Sequence, residues 1–493
     1  MNKKFILISI IFIFGFTMIS ACTKQSASSS YTPPLNIVGD VSEPFTLRSL
    51  EDDFDMIDIE TKDGSVKGIK FEDILEKVSP LSDNSDIFLV GIDGMMAKIE
   101  DMNLEGSFIS FSDANGWEAI HYNHPPSSNV KHLKEIIIVS TDEDRLDIGM
   151  NIINSEKNIR NITPGELYAN SATLLTYFEG ESSVEKEGVH YNTSVYTQRR
   201  IFKLEDMVEE SLQNALVMNA LGDIKSIEAN SYFEANSNTI DYVSASGKER
   251  LKDVKGVILD PPEGSIQDSY YDIGKYVKED EDVLFIVLDG FGYHQYKHAI
   301  ENNHIPFLTS QPEATKALSV YRPVTNAGLA AIITGKSPAE NGVYSRKQRQ
   351  LQVDSIFKYV QDLGKEAIYI EGNIGILDTE IQPVLNVDDD GDGYTDDEVQ
   401  ESTLNVLDKG YNLVFTHFHG IDDSGHSNGD FASQTMDVLS YMDTYLEELV
   451  SKWHGKVIIT ADHGMHSTKD AGDHGQFRYE NMIVPYIVME GGQ

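Results

Sequence analysis

The chain has 493 residues, with 39 Lys+Arg against 80 Asp+Glu, a formal net charge of −41 at pH 7 and a single cysteine. The length allows about two or three domains with ordinary cores, and a hydrophobic content of 40% argues against global disorder. The charge offers no counterion-release term, so no nucleic-acid binding is expected. One cysteine excludes an intrachain disulfide and a cysteine-cluster metal site.

The N-terminus reads MNKKFILISIIFIFGFTMISACTKQ. Lys3 and Lys4 form a basic n-region, and Phe5 to Met18 is an apolar run short for a bilayer span but suited to a signal h-region. Ile19-Ser20-Ala21-Cys22 then resembles a bacterial lipobox. The resemblance implies cleavage before Cys22 and diacylation of that cysteine, giving two or more acyl chains for stable anchoring. Residues 1–21 are thus read as a lipoprotein signal peptide and 22–34 as the lipidated cysteine with a flexible tether. The expected location is extracytoplasmic, lipid-anchored to a bacterial cell membrane. A plain transmembrane anchor is the alternative.

Residues 35–262 alternate short β-rich runs with turns. Ile87–Gly91, Glu135–Val139 and Lys255–Leu259 are apolar examples. Two stretches share an order of features: GIKFEDILEK…IDGMMAKIED…FISFSDANG…HLKEIIIVS, and RIFKLEDMVEE…LGDIKSIEAN…TIDYVSASG…RLKDVKGVIL. A tandem α+β unit is predicted, 35–142 and 143–262, against the alternative of two unrelated generic stretches. The opening LNIVGDVSEPFTLRSLEDD resembles the start of the sulfite-oxidase-type molybdopterin domain. That family binds molybdenum through a cysteine, and none is available here, so the likeness concerns fold alone. This half shows no catalytic constellation.

From about 275 the pattern becomes strand–helix. Asp282–Leu288, Glu366–Ile370, Asn412–Thr416 and Lys456–Thr460 are apolar runs suited to buried parallel strands. Helical stretches such as Phe431 to Trp453 lie between them. A doubly wound α/β sheet over 275–493 is predicted, with ligands beyond the carboxyl ends of its strands.

Those ends carry metal-binding residue types. Asp289 closes the first strand. His417, His419, Asp422 and His426 follow the third, in THFHGIDDSGHSNG. Asp462 and His463 close the fourth, and His474 follows in GDHGQF. Asp and His suit zinc and also manganese. A lone pair of this kind reads more simply as structural histidine or helix cap; three converging strand ends do not. Thr325 stands just before an apolar helix, Ala327 to Ile333, where the dipole favours an alkoxide and an incoming phosphate. Alone, Thr325 reads as an N-cap; beside two divalent cations it reads as a nucleophile.

Together these motifs resemble the alkaline phosphatase superfamily, in particular its type I phosphodiesterase/nucleotide pyrophosphatase branch. The matching residues are Asp289, Thr325 followed by Thr334-Gly335, Asp422 to His426 as Asp-x-x-Gly-His, Asp462 to Met465 as Asp-His-Gly-Met, and the last His474. The resemblance implies an alkaline-phosphatase-like α/β/α sandwich and a phosphodiesterase- or pyrophosphatase-like hydrolase. It implies one zinc on Asp422, His426 and His474, and a second on Asp289, Asp462, His463 and the Thr325 oxygen. Thr325 would attack the phosphoryl group and form a phospho-threonine. The cations reconcile the acidic composition with a phosphorylated small-molecule substrate.

Between Arg322 and Arg349 the charge inverts: Arg322, Lys336, Arg346, Lys347 and Arg349 face a single acid, Glu340. This stretch is read as steering and holding phosphate, with Arg346, Lys347 and the nucleophile's neighbour Asn326 as substrate-binding candidates. Nucleotide pyrophosphatases place an Asn near the position Arg346 takes, which puts a nucleotide diester in doubt and makes an extra anionic group on the substrate conceivable. His417, His419 and His466 are read as supporting contacts or strand polarity, and Asp423 and Asp473 as orienting imidazoles.

VDDDGDGYTDDEV resembles an EF-hand-like calcium loop through Asp388, Asp390, Asp392, Tyr394 and Asp396. Val399 replaces the usual Glu at its twelfth position, and a solvated acidic loop is the alternative. Other activities on the same core are a phosphomonoesterase, a phosphonate hydrolase or a phosphotransferase. A sulfatase is disfavoured, since no Cys lies near Thr325. The reading from a different class is a non-catalytic surface binding lipoprotein. The oligomeric state is not legible.

Overall fold

The structure is a computed structural model that describes residues 32–50, 54–62, 64–100, 102–142, 145–170, 173–209 and 214–492. The expected signal segment and Cys22 lie outside the described residues. No helix among the described residues is long and apolar enough to cross a membrane.

An eight-stranded sheet organises the C-terminal part. Its centre is Val283–Leu288, wholly buried as its unbroken VLFIVL run requires. That strand pairs in parallel with Leu413–Phe418 on one side and Lys456–Thr460 on the other. Ala367–Glu371 continues the parallel order beyond Leu413–Phe418. Ile483–Glu490 pairs antiparallel with Lys456–Thr460 and with Thr315–Leu318, so one side of the sheet is mixed. Helices Asp268–Lys278, Thr325–Thr334 and Ile356–Asp362 pack as one group, and Pro306–Ser310, Asp396–Leu404 and Ser433–Lys452 as another. The result is the expected doubly wound α/β/α sandwich.

The N-terminal region is α+β, and its two halves share a topology. In the first, the order is Phe45–Leu47, Leu35–Gly39, Leu133–Ser140, Ser85–Gly91, Met96–Ile99; in the second it is Asn158–Ile162, Met150–Asn154, Val254–Leu259, Ala215–Asn219, Ile224–Ser226. Each has one parallel pair, Leu35–Gly39 with Leu133–Ser140 and Met150–Asn154 with Val254–Leu259; the other pairings are antiparallel. A smaller antiparallel sheet accompanies each, built from Ile57–Thr61, Gly64–Lys70, Ser107–Ser112 and Gly116–His121 in the first and from Thr173–Lys186, Val189–Phe202, Tyr232–Asn236, Thr239–Val243 and Arg250–Leu251 in the second. The helix Phe71–Val78 of the first half corresponds to a short 3-10 turn, Leu204–Asp206, in the second.

The second half packs on the C-terminal part. Ile153, Met218 and Ile258 share the core of the large sheet. Asn158 accepts the Tyr479 main-chain N–H at 2.8 Å and donates to Glu480 at 2.7 Å.

Candidate functional site

The parallel strands end at one edge of the sheet, and their last residues meet there. Asp289 follows Leu288. Glu371 is the last residue of Ala367–Glu371. The third strand runs on to Phe418, so His417 is inside it, fully buried, and His419 caps the next helix, Gly420–Asn428. Asp422 and His426 stand four apart on that helix and therefore share a face. Asp462 and His463 follow Thr460. His474 follows Gly472–Asp473, which pairs with His466–Ser467.

Thr325 differs from its expected place. It is the first residue of the helix Thr325–Thr334, and Val324 is the N-cap. The Thr325 hydroxyl does not cap the helix and instead faces Asp289 Oδ1 at 3.5 Å and His463 Nε2 at 3.4 Å.

Two clusters result. In one, Asp422 Oδ2 lies 3.4 Å from His426 Nε2 and Asp422 Oδ1 3.5 Å from His474 Nε2. In the other, His463 Nε2 lies 3.4 Å from both Asp289 Oδ1 and Asp462 Oδ2, with the Thr325 oxygen beside them. Hydrogen bonds between charged partners are shorter, about 2.7–2.9 Å. Two ligands of one tetrahedral ion, each about 2.0–2.1 Å from it, stand about 3.3 Å apart. Asp422 Oδ1 and Asp462 Oδ2 are buried with no hydrogen-bond partner among the described residues. Spacing, donor set and orphaned oxygens all fit divalent cations.

The imidazoles are oriented for the same purpose. His426 Nδ1 lies 3.2 Å from Gly472 O, His463 Nδ1 3.2 Å from Gly464 O and His474 Nδ1 2.9 Å from Pro323 O. Only an N–H can meet a carbonyl, so each Nε2 carries a lone pair directed inward. Burial pushes His463 down to about 4, and burial with the neighbouring His463 pushes His474 down to about 2. Burial and then the Asp289 charge hold Asp422 and Asp462 well above the usual carboxylate range. Asp289 goes the other way: burial would raise it, but the imidazoles of His417 and His419 beside it and the charge of His463 hold it well below that range.

Arg346 reaches the first cluster, its guanidinium bonding His474 Nε2 and standing 3.4 Å from His426 Nε2. Lys347 is exposed, and no hydrogen bond or ion pair of its side chain joins it to the cluster among the described residues. Asn326 is buried and spends its amide N–H groups on the carbonyls of Gln348 and Ile376, both at 3.1 Å, which ties the helix Thr325–Thr334 to the loop bearing Arg346. Arg322 bonds Gly475 O at 3.0 Å, Lys336 faces Glu340 at 3.8 Å and Arg349 bonds Gly375 O.

In the acidic loop, Asp388, Asp390 and Asp392 bring one oxygen each within 4.8 Å of one another, all exposed. Tyr394 donates its main-chain N–H to Asp392 at 2.8 Å. Asp396 does not join them: its carboxylate caps the main-chain N–H groups of His419 and Gly420 at 3.0 and 2.9 Å. Asp396 opens the helix Asp396–Leu404 and is turned inward, toward the strand end, rather than to the loop. Asp473 bonds its own successor, accepting His474 N–H at 2.8 Å, and His466 meets Asn481 at 3.2 Å, apart from both clusters.

Glu371 was not predicted. It stands at the carboxyl end of a predicted strand, where an acid was already the signal at Asp289 and Asp462. Two imidazoles bear on it, those of His417 and His419. Burial would raise Glu371, but these bonds bring it down to about 2; burial would lower His419, but Asp289 and Glu371 hold it well above its ordinary value.

Residues 380–491 match the model of the Metalloenzyme superfamily. GPI ethanolamine phosphate transferase 1 of Yarrowia lipolytica (strain CLIB 122 / E 150) is 33% identical over 92 residues, 16% of this chain and 9% of that protein. Phosphonoacetate hydrolase from Sinorhizobium meliloti 1021, solved with phosphonoformate, is 16% identical with a TM-score of 0.30, covering 38% of this chain and 56% of that one. Human ectonucleotide pyrophosphatase/phosphodiesterase 5 is 18% identical with a TM-score of 0.32, covering 38% and 58%. The chain thus spans under a tenth of the curated relative and little over half of these solved chains.

Proposed function

We propose that this protein is a divalent-cation-dependent phosphohydrolase with Thr325 as nucleophile, acting on a phosphorylated or phosphonylated small molecule. The observation that carries it is the placement of the Thr325 hydroxyl, at a helix N-terminus and 3.4–3.5 Å from two members of one cluster. One cation would be held by Asp422, His426 and His474, the other by Asp289, Asp462, His463 and Thr325. Zinc suits both donor sets, with manganese as the alternative. Bound there, the cations would polarise phosphoryl oxygens and acidify the hydroxyl and water beside them.

Thr325 supplies the attacking oxygen. The helix dipole favours negative charge where the phosphoryl group arrives. Arg346 offers a planar fork to its remaining oxygens. Displacement by Thr325 Oγ1 forms a phospho-threonine and releases the leaving group, and water then restores the hydroxyl. The protein is further proposed to act outside the cytoplasm, anchored through Cys22, and the Asp388–Asp392 loop to take calcium there.

A second reading, transfer of the phosphoryl group to an alcohol rather than to water, is favoured by the likeness to an ethanolamine phosphate transferase. Turnover of p-nitrophenyl monoester, diester and phosphonate, with and without chelator and with and without an alcohol acceptor, tests both. Chelator-sensitive release of nitrophenol is expected. Phosphorylated alcohol as the main product would favour transfer; no chelator-sensitive turnover on any substrate would sink the enzyme and favour a binding lipoprotein.

A further inference from the structure

We propose that the turn Ile92–Met96 of the first N-terminal half is a membrane-contact surface, with its apolar side chains seated in the lipid interface. This contact rests on the proposed anchoring through Cys22 and goes beyond it: an acyl chain alone leaves open which end of the fold faces the membrane.

The sheet brings the turn and the chain's entry to one end. Leu133–Ser140 lies between Leu35–Gly39, which runs parallel to it, and Ser85–Gly91, which runs antiparallel. The start of Leu35–Gly39 and the finish of Ser85–Gly91 therefore share an end of the sheet, two strand spacings or about 10 Å apart. Pro33 is held by the Trp117 indole N–H at 2.6 Å. Cys22 stands ten residues before Thr32, a reach of at most about 35 Å. The end of this half nearest the acyl chains is thus the end that carries the turn.

The turn is firmly held and yet bare. Val90 pairs with Met96, and the Gly91 N–H donates to Met95 O at 2.8 Å. Asp93, the only acid in the turn, accepts the Met95 N–H at 3.0 Å. Ile92, Met95 and Met96 are nonetheless 67%, 46% and 43% exposed. A fixed apolar cluster open to water marks an interaction site.

The second half shows what the same turn meets when it is covered. Val90 with Met96 and Met218 with Ile224 are equivalent closing pairs. The Ile92 N–H meets His132 O and the Ala220 N–H meets Asp253 O, both at 2.9 Å, and His132 and Asp253 share a left-handed backbone. Ile92, Gly94 and Met95 thus match Ala220, Gly222 and Asp223. A Cβ on Gly222 would stand 2.7 Å from Tyr321 O and 2.9 Å from Pro338 Cβ, whereas one on Gly94 would meet nothing within 4 Å. The covered turn carries Ala and Asp where the bare one carries Ile and Met. Charge points the same way: Lys131, at this end, is exposed, and among the described residues its ammonium meets only the Asn115 side-chain oxygen at 3.2 Å. A cation beside an apolar tip suits anionic headgroups above an acyl layer.

The test uses the full chain with Met95→Cys carrying an environment-sensitive nitrobenzoxadiazole probe, in vesicles of phosphatidylethanolamine and phosphatidylglycerol with and without shallow spin-labelled lipid. Ile92→Cys is the second variant, and Leu221→Cys, in the equivalent turn and 55% exposed, is the control. Mass spectrometry on the same samples reads acylation of Cys22 and the position of the probe. Apolar side chains seated about 5–10 Å into the interface should give blue-shifted emission and at least about twofold quenching at positions 92 and 95, with neither at 221. Acylated Cys22 without quenching at 92 or 95 would overturn the contact and leave the anchor. Quenching at both positions with Cys22 unmodified would sink the anchor and leave the contact standing. Blue-shifted emission that spin-labelled lipid does not quench would show the turn covered by protein, which also overturns the contact.

Discussion

Gly328 lies directly against Asp462: a Cβ on it would stand 2.5 Å from the Asp462 main-chain oxygen and 2.8 Å from its own Cβ. Ser319 bonds that same oxygen at 2.6 Å, so the strand end has no room to yield. Gly328 is one turn beyond Thr325 on the same helix face. The absent side chain therefore sets how near Thr325, the proposed nucleophile, comes to Asp462 and His463. Gly328→Ala should push the helix away. Overpacking of this kind costs about 1–3 kcal/mol, and an offset of about 1 Å at the reacting atoms lowers turnover roughly 100-fold. Denaturant unfolding and p-nitrophenyl turnover on one preparation check both.

Thr325→Ala removes the attacking oxygen but leaves Asp289, Asp462 and His463 in place. Turnover should fall by at least about three orders of magnitude, as expected for loss of a nucleophile, while zinc content is largely kept. Thr325→Ser should retain measurable activity. Activity of Thr325→Ala near that of the wild type would remove the residue from its proposed role.

The candidate ligand clusters were legible because strand-end chemistry is local in sequence. Asp289, Asp462 and His463 each follow an apolar run directly, and Asp422 and His426 follow one within a short loop and a helical turn. What was not legible depends on distant partners. Position in the sequence singles out Arg346 and Lys347 together but not which of them reaches the cluster: in the fold Arg322, Lys336 and Arg349 are spent on Gly475, Glu340 and Gly375, Lys347 is exposed, and among the described residues Arg346 alone of the five bonds the cluster. Asp396 has the position of a calcium-loop residue, but two main-chain N–H groups from a segment more than twenty residues later take its carboxylate. Thr325 matched an N-cap pattern that Val324 occupies instead.

Arg346→Ala should weaken substrate handling without emptying the metal sites. Its guanidinium meets lone pairs of His426 and His474 that a cation would also use, so the proposed reaction has it beside the phosphoryl oxygens once the cation is bound. Charge-assisted bonds of this kind are worth about 1.5–3 kcal/mol, which is roughly 10- to 100-fold in kcat/KM. Arg346→Lys should recover part of that, because the charge returns without the fork. Steady-state kinetics with zinc analysis separates this from loss of metal.

The first N-terminal half carries a pH-sensitive group of its own. His121 is buried, with Nδ1 2.7 Å from Ser107 Oγ and Nε2 without a partner among the described residues. Burial, with a smaller push from His124, brings it from 6.5 down to about 4. The unfolded chain takes the proton first, so stability is unaffected above about pH 6.5 and is lost as pH falls toward 4. Between pH 7 and pH 5 the loss should be about 2 kcal/mol. Urea unfolding at the two values reads it, and His121→Gln should flatten the dependence.

The second N-terminal half should bear on catalysis through His474. Gly256 sits on Val254–Leu259, held on both sides by Met150–Asn154 and Ala215–Asn219. A Cβ there would stand 2.0 Å from the Phe477 ring, and Phe477 is three residues beyond His474. Gln476 is tied to Asp147 at 3.0 Å and Tyr479 to Asn158 at 2.8 Å, so the segment is braced from that half along its length. Gly256→Ala cannot be absorbed by a strand paired on both edges, and the displacement falls on Phe477 and His474. Zinc should leave the Asp422–His426–His474 cluster faster under chelator than in wild type, while release from the Thr325 cluster is unchanged. Asn158→Ala removes two hydrogen bonds without adding bulk and should give the same selective loss in milder form. Equal acceleration at both clusters would mean that the brace supports the fold as a whole and not His474.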